Sequence, residues 1–318
     1  PQYFPKQNTE LEAYQQIEKD LLDAVLYAPD NTPGNKTLFS KSVARTLLAK
    51  IYAEKPLRDY TKVIQYCDEV KADGFDLVDD FSDLFGMNAA GTDAKMRNTK
   101  ESILEAQFTS GAGNWCTWMF GRDLVNWNNN FTWAKWVTPS RDLISAFKQE
   151  GDEVRFKESI VYYDCNWSNY YPSDNYPFMY KCRSANSSII KYRYADVLLL
   201  KAEALIMQDT PDLEGAADII DEVRDRAKLG ALPTSVRSNK NVLLNALLKE
   251  RRLELAFEGQ RWFDLVRLDK VEEVMNAVYS KDSGRKAQIY TFDKNSYRLP
   301  IPQSVIDAND KIHQNPGY

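Results

Sequence analysis

The sequence predicts a mainly α fold: paired helices that form a scaffold, interrupted by one long irregular segment rich in aromatic residues. Three observations predict it. Apolar residues recur at three- and four-residue spacing through much of the chain, the period of a helix with one buried face. A helical hairpin early in the chain has a second copy far downstream. Between the copies the helical period stops, and Trp, Tyr and Asn accumulate. Of the 318 residues, 43% are hydrophobic, and 41 Lys+Arg stand against 46 Asp+Glu. That is enough apolar surface for a sizeable core, and the near balance of charge excludes intrinsic disorder. A net charge of −5 argues against a nucleic-acid partner, which would need a basic face. No apolar run approaches the roughly 20 residues that span a bilayer.

In chain order, residues 10–27 place Leu11, Tyr14, Ile17, Leu21, Ala24 and Val25 on one helical face. Residues 28–39, with Pro29, Pro33 and Gly34, form a connector. Ser40 stands where it would cap a helix over 41–54, which Pro56 ends. A helix over 58–72 follows and closes at Gly74. Residues 192–208 and 212–228 repeat the arrangement, with Asp212 as cap and closure near Gly230. Leu47-Leu48-Ala49-Lys50 matches Leu198-Leu199-Leu200-Lys201, and Asp68-Glu69-Val70-Lys71 matches Asp221-Glu222-Val223-Arg224. Ala49, Ala53, Ala202 and Ala204 fall where closely packed helix pairs need small residues. These are tetratricopeptide-like hairpins, over 40–74 and 192–230, each leaving an apolar face for a neighbour to cover.

The C-terminal part, 241–318, begins with a helix over 241–258 whose apolar face carries Val242, Leu243, Leu247, Leu253 and Phe257. Gly259 interrupts it, 260–268 continue helically, and a short helix follows near 270–279. Pro300, Pro302 and Pro316 predict an extended tail. The whole of 1–318 reads as one body.

The insertion, 98–190, opens on a strand-like run, residues 102–108. Trp115, Trp118, Trp127, Trp133 and Trp136 follow, interleaved with Asn114, Arg122, Asp123, Asn126, Asn128, Asn129 and Asn130. Residues 138–150 read as a helix with Thr138 as cap and Pro139 at its first position. A second cluster holds Tyr162, Tyr163, Trp167, Tyr170, Tyr171, Tyr176 and Tyr180. Long irregular segments on a rigid scaffold are where binding residues concentrate. A pyranose ring offers an apolar C–H face to an aromatic ring, and its hydroxyls bond to Asn, Asp and Arg. The candidate ligand contacts are Trp115, Trp118, Trp127, Asn129, Trp133, Trp136, Tyr163 and Trp167. The competing reading, that these rings only pack the insertion onto the helices, stays open at this point.

Other chemistries find little support. His313 is the sole histidine, so His-pair metal motifs are excluded and a Ser-His-Asp triad is disfavoured. Cys67, Cys116, Cys165 and Cys182 form no CxxC pair, and unpaired thiols are the expectation, with a Cys165–Cys182 bridge as the alternative in an oxidising compartment. Asp79, Asp80 and Asp83 lack the alternating spacing of a calcium loop and read as a solvated turn. Glu250, Glu254 and Glu258 share a face, with Arg251, Arg252, Arg261 and Arg267 near enough to neutralise them. Carboxylates paired with arginine have their pKa lowered, so these predict an ion-pair lattice between helices rather than acid–base catalysis. No catalytic residue, metal site or cofactor is expected.

Three stretches resemble the SusD/RagB family of outer-membrane nutrient-binding lipoproteins. They are 192–204 (YRYADVLLLKAEA), 250–267 (ERRLELAFEGQRWFDLVR), and the tail with LPIPQS at 299–304 and NPGY at 315–318. The likeness extends to the helix pair at 40–73. The resemblance implies a tetratricopeptide-like scaffold carrying irregular ligand-binding loops, without catalytic residues. It implies a location on the outer face of the outer membrane, held by a lipidated N-terminal cysteine, and a SusC-like TonB-dependent transporter as partner. Family members are usually longer, with that cysteine, a linker and early helices ahead of the region matching Pro1, so the anchor is expected outside this chain. The implied cargo is an oligosaccharide or polysaccharide, or in some members a peptide.

Two readings compete with capture of a glycan. A helical glycoside hydrolase needs two uncompensated carboxylates in the aromatic region, and Asp123, Asp142 and Asp164 are the candidates. A tetratricopeptide adaptor for a protein tail needs a basic groove between tandem hairpins, and these hairpins are not tandem in sequence.

Overall fold

A computed structural model describes residues 4–109, 113–114, 137–165, 168–281 and 291–318. Helices dominate it. The first, α1 (Glu10–Tyr27), starts at a capping box in which Thr9 and Glu12 satisfy each other's backbone N–H. The first hairpin is α2 (Lys41–Ala53) and α3 (Tyr60–Ala72), joined by a 3-10 turn at Lys55–Leu57. A short α4 (Ser82–Phe85) leads to strand β1 (Ser102–Ala106). Next come α5 (Arg141–Glu150), α6 (Glu153–Ser159), β2 (Ile160–Tyr163), β3 (Tyr176–Met179) and β4 (Ile189–Arg193). The second hairpin is α7 (Tyr194–Met207) and α8 (Leu213–Arg226). The chain ends with α9 (Thr234–Arg237), α10 (Lys240–Glu254), α11 (Arg261–Arg267), α12 (Val271–Lys281) and α13 (Gln303–Ala308).

The two hairpins, distant in sequence, stack in space. One core cluster joins Val43, Leu48 and Ala49 of α2, Val63, Cys67 and Val70 of α3, Val197, Leu198 and Ala202 of α7, Ile220 and Val223 of α8, and Leu243 and Leu247 of α10. Ala49, Ala53, Ala202 and Ala204 are fully buried, so the small side chains sit at close helix contacts. The insertion does not part the hairpins because its two ends meet. β1 pairs antiparallel with β4, with Glu105 opposite Ile190 and Ser102 opposite Arg193, and the chain leaves and re-enters the scaffold at one place. Inside the insertion β2 and β3 form a second antiparallel pair, Ile160 opposite Met179.

Several boundaries differ from the sequence expectation, each for a local reason. Tyr192 and Arg193 belong to β4, because β1 supplies them with a partner strand, and α7 starts at Tyr194. α5 starts at Arg141, and the side chain of Ser140, not Thr138, accepts from Leu143 N at 3.1 Å. Ser40 stands at the start of α2 without a capping bond from its side chain. Lys228 rather than Gly230 takes the left-handed conformation (φ 60°) after α8. α10 stops at Glu254, and Phe257 (φ 66°) and Gly259 (φ 79°) reverse the chain into α11. The tail is not wholly extended, since Pro302 sits at the N-cap of α13, where its missing N–H costs nothing. Leu11 and Ile17 of α1 stay 46% and 43% exposed, so that helix is only partly covered.

A buried ionic lattice joins the layers. Glu254, at the end of α10 and fully buried, accepts from Arg193 Nη1 at 2.5 Å, from Arg155 Nη1 at 3.0 Å and from Arg226 Nη2. Its carbonyl oxygen accepts from Arg193 Nη2 (2.7 Å) and Lys181 Nζ (2.8 Å). Glu101, just before β1, accepts from the same Arg193 (2.7 Å) and Arg226 (2.6 Å). A second set links Arg251 of α10 to Asp196 of α7 (2.7 Å) and Asp264 of α11 (2.9 Å), and Arg267 to Glu203 (2.7 Å). Lys50 of α2 reaches Asp196 at 2.7 Å.

Removing one partner of such a cluster strands the others in low dielectric. Glu254→Ala is expected to cost about 3–5 kcal/mol of unfolding free energy. Asp68→Ala, which breaks the more exposed Lys201–Asp68 pair, is expected to cost under about 1 kcal/mol. Urea unfolding followed by circular dichroism measures both.

Candidate functional site

One concave feature lies on the inserted segment and another where that segment meets the C-terminal part. The first is an open cleft of about 800 Å³ lined by Arg141, residues 168 and 169, Tyr170, Tyr171 and Ser173. The cap at Ser140 sets Arg141 in the first turn of α5. Its guanidinium lies 4.2 Å from the ring centre of Tyr171 and 4.4 Å from that of Tyr170, and it donates to the Tyr170 carbonyl. Tyr171 Oη donates to the Pro139 carbonyl at 2.6 Å, tying the loop back to the start of the helix. A run of edge-on and tilted rings continues inward: Tyr170 to Tyr171 (4.9 Å), Tyr171 to Tyr176 (5.5 Å) and Tyr176 to Phe178 (5.2 Å). The polar rim and half-buried rings suit a ligand with an apolar face and hydroxyl edges.

The second is a cavity of about 610 Å³ beside β4. Phe85, Met179, Ile190, Tyr192 and Phe257 form apolar walls, and Lys181 and Glu258 face it. Burial pushes the Lys181 ammonium down to about 8, against the opposing pull of Glu258, to which it donates at 2.6 Å. Burial alone would raise the Glu258 carboxyl, but Arg193 and Lys181 outweigh it and hold it below the ordinary range.

Of the predicted contacts, Tyr163 lies on β2, half-buried, its ring 6.4 Å from that of Phe178. Trp115, Trp118, Trp127, Asn129, Trp133, Trp136 and Trp167 lie outside the described residues. The cleft brings together Arg141, Tyr170 and Tyr171. The last two stood in the second aromatic cluster without being singled out, and Arg141 carried no signal beyond its place at a helix start.

The acidic face of α10 is an ion-pair lattice, but its partners differ from those expected. Glu250 pairs with Arg155 (2.5 Å) and Arg224 (3.2 Å), not with an arginine of its own helix. Arg251 and Arg267 serve Asp196, Asp264 and Glu203 instead, Arg252 pairs with Asp142 at 2.6 Å, and Arg261 donates to the Leu248 carbonyl. Glu254 is held well below the carboxylate range: burial acts to raise it, and Arg226, Arg193 and Arg155 together prevail. Glu250 goes the other way, raised by burial despite Arg155. Asp79 pairs with Lys100, and Asp80 and Asp83 with Lys95. Cys165 and Cys182 are not bridged to each other. The Cys165 thiol packs beside Tyr176 and Phe178, whereas Cys182 Sγ accepts from Asn114 Nδ2 at 3.2 Å. Among the described residues no helix is long and apolar enough to cross a membrane.

Residues 174–318 match the model of the SusD family. That C-terminal part of the chain is similar to the SusD family. SusD-like protein P38 of Formosa agariphila is 43% identical over 99 residues, 29% of this chain and 19% of that protein. SusD-like protein P2 of the same organism is 36% identical over 143 residues, 43% of this chain and 27% of that protein. The chain thus aligns with well under a third of the length of either relative. A surface glycan-binding protein A of Bacteroides thetaiotaomicron, solved with laminarihexaose, shares the fold of this chain at a TM-score of 0.75 and 20% identity, over 98% of this chain and 72% of that one. A laminarin-binding SusD-like protein does so at 0.70 and 24%, over 96% and 69%.

The lattice makes stability pH-dependent. Glu254, Glu258, Asp196 and Asp264 have folded-state pKa values below their unfolded ones, so the unfolded chain binds their protons first as pH falls. Their contribution is whole above the ordinary carboxylate range and is lost as pH drops below about 4. Glu250 and Asp152, raised by burial, act in the opposite sense. Unfolding free energy is expected to fall with acid over that range, and to fall less steeply in Glu254→Gln. Urea titrations at stepped pH measure the slope.

Proposed function

We propose that this chain captures glycans at the cell surface for a nutrient-uptake complex and performs no catalysis itself. The observation that carries the reading is the open cleft in which Arg141 is laid across Tyr170 and Tyr171, on loops hung from an ionically locked helical scaffold. The laminarin-binding protein and the surface glycan-binding protein support it, because they share the chain's fold. Sugar rings stack on the tyrosines, and Asn169, Ser168 and Ser173 meet the hydroxyls. Trp115, Trp118, Trp127, Asn129, Trp133, Trp136, Tyr163 and Trp167 are the further ligand contacts in this reading. A SusC-like TonB-dependent transporter receives the cargo, and a lipid anchor ahead of this chain holds it on the outer face of the outer membrane.

The hydrolase alternative loses ground on one residue. Asp142 is paired with Arg252 at 2.6 Å, so it is not one of the uncompensated carboxylates that a hydrolase needs. Affinity for sugar is modest, in the micromolar to millimolar range (about −8 to −4 kcal/mol), since the captured glycan must be released again.

The test is calorimetric titration of the folded chain with laminarihexaose and with oligosaccharides of other linkage, with tryptophan emission followed in parallel. Saturable binding to one glycan class is expected, weakened about tenfold by Tyr170→Ala, the loss of roughly one stacking contact. Absence of saturable binding to every sugar, from a chain with native circular dichroism, overturns the proposal.

A further inference from the structure

The cavity beside β4 holds an amine that capture of sugar does not use. Lys181 follows β3 by two residues, and its side chain is only 4% exposed. Its nitrogen lies 4.7 Å from the ring centre of Phe85 and 5.2 Å from that of Phe81. It donates to the Glu258 carboxylate at 2.6 Å and to the Glu254 carbonyl at 2.8 Å. The guanidinium of Arg193 donates to the same two residues, at 2.7 and 2.8 Å to Glu258 and at 2.7 Å to the Glu254 carbonyl. A lysine that is desolvated and set beside a second cation is an arrangement that makes an amine nucleophilic near neutral pH. Burial is the largest influence here, and it brings the ammonium down to about 8. At about pH 7.5 roughly a quarter of it is free amine, against on the order of one part in a thousand of an exposed lysine.

The surroundings suit the free amine. It has two N–H groups, and Glu258 and Glu254 accept both. Loss of one proton therefore strands no acceptor and leaves a lone pair in the remaining direction. Lys181 lines a space of about 610 Å³, the size of a small-molecule site. Phe85, Met179, Ile190 and Phe257 wall it. Phe257 keeps a left-handed φ of 66°. An aromatic residue adopts that conformation at a cost, and strain of this kind concentrates at ligand sites.

We propose that Lys181 condenses reversibly with a small aldehyde that has an apolar body, and that the cavity beside β4 holds this ligand. The nitrogen bonds to the carbonyl carbon, and the carbonyl oxygen leaves as water with two of the ammonium's three hydrogens. The third hydrogen stays on the protonated imine, where it donates to Glu258. The Glu254 carbonyl keeps its bond from Arg193. Charge is conserved, and neither oxidant nor reductant is needed. The cavity is separate from the cleft at Arg141, and this chemistry does not depend on the glycan reading.

The probe is benzaldehyde with cyanoborohydride, which reduces each imine to a stable secondary amine, and peptide mass mapping of the wild-type chain locates the labels. Lys191 is the internal control, because it lines the same cavity but is exposed. At about pH 7.5 Lys181 is expected to be labelled about tenfold faster than Lys191. Its rate should level off above about pH 8, while that of Lys191 climbs on toward about pH 10. With glyoxylate, an aldehyde that has no apolar body, the preference for Lys181 should fall to about parity. Benzaldehyde labelling of Lys181 no faster than of Lys191, a Lys181 rate that climbs together with that of Lys191, or a preference that glyoxylate retains in full, overturns the proposal.

Discussion

Glu254 is the constraint on which the rest depends. One carboxylate at the end of α10 receives guanidinium groups from α6, from the end of β4 and from the end of α8, and its own carbonyl receives two more donors. Four segments that are remote in sequence are fixed against one another at a single point. Buried charges contribute little net stability when they are well paired, because desolvation offsets most of the attraction. Their effect is to exclude alternatives: a displaced helix would take from three buried arginines the carboxylate that they share.

That arrangement explains how a long irregular insertion coexists with a close-packed helical body. β1 and β4 bring the ends of the insertion together, and Arg193 at the end of β4 plugs directly into the lattice. Arg155 does the same from α6, just ahead of the β2–β3 pair. The loops of the open cleft therefore start from anchored points. Asp142 extends the anchorage to α5 through Arg252, one residue from the arginine that holds Tyr170 and Tyr171.

Much of the scaffold was legible from the chain because its helices carry local signals. The apolar period and matched Ala positions placed both hairpins, and Asp212 caps the helix that follows it as expected. β4 was not legible, since Tyr192 and Arg193 read as helix until a partner strand ninety residues upstream claims them. The charged face of α10 was recognised as structural, yet its partners were misassigned to neighbouring arginines. Sequence proximity suggested Arg251 and Arg252, whereas helix geometry turns those residues toward Asp196, Asp264 and Asp142. The candidate site was legible only as composition. Aromatic density pointed to the insertion, but the stack of Arg141 on Tyr170 and Tyr171 joins residues about thirty positions apart that no local pattern connects.

A locked scaffold that presents ligand-binding loops has a distinct signature in hydrogen–deuterium exchange. Measured on the wild-type chain with and without saturating laminarihexaose, added protection should appear over residues 137–141 and 168–173, with α2, α3, α7 and α8 unchanged. Protection confined to those helices, with both loops unaltered by the sugar, would contradict the account.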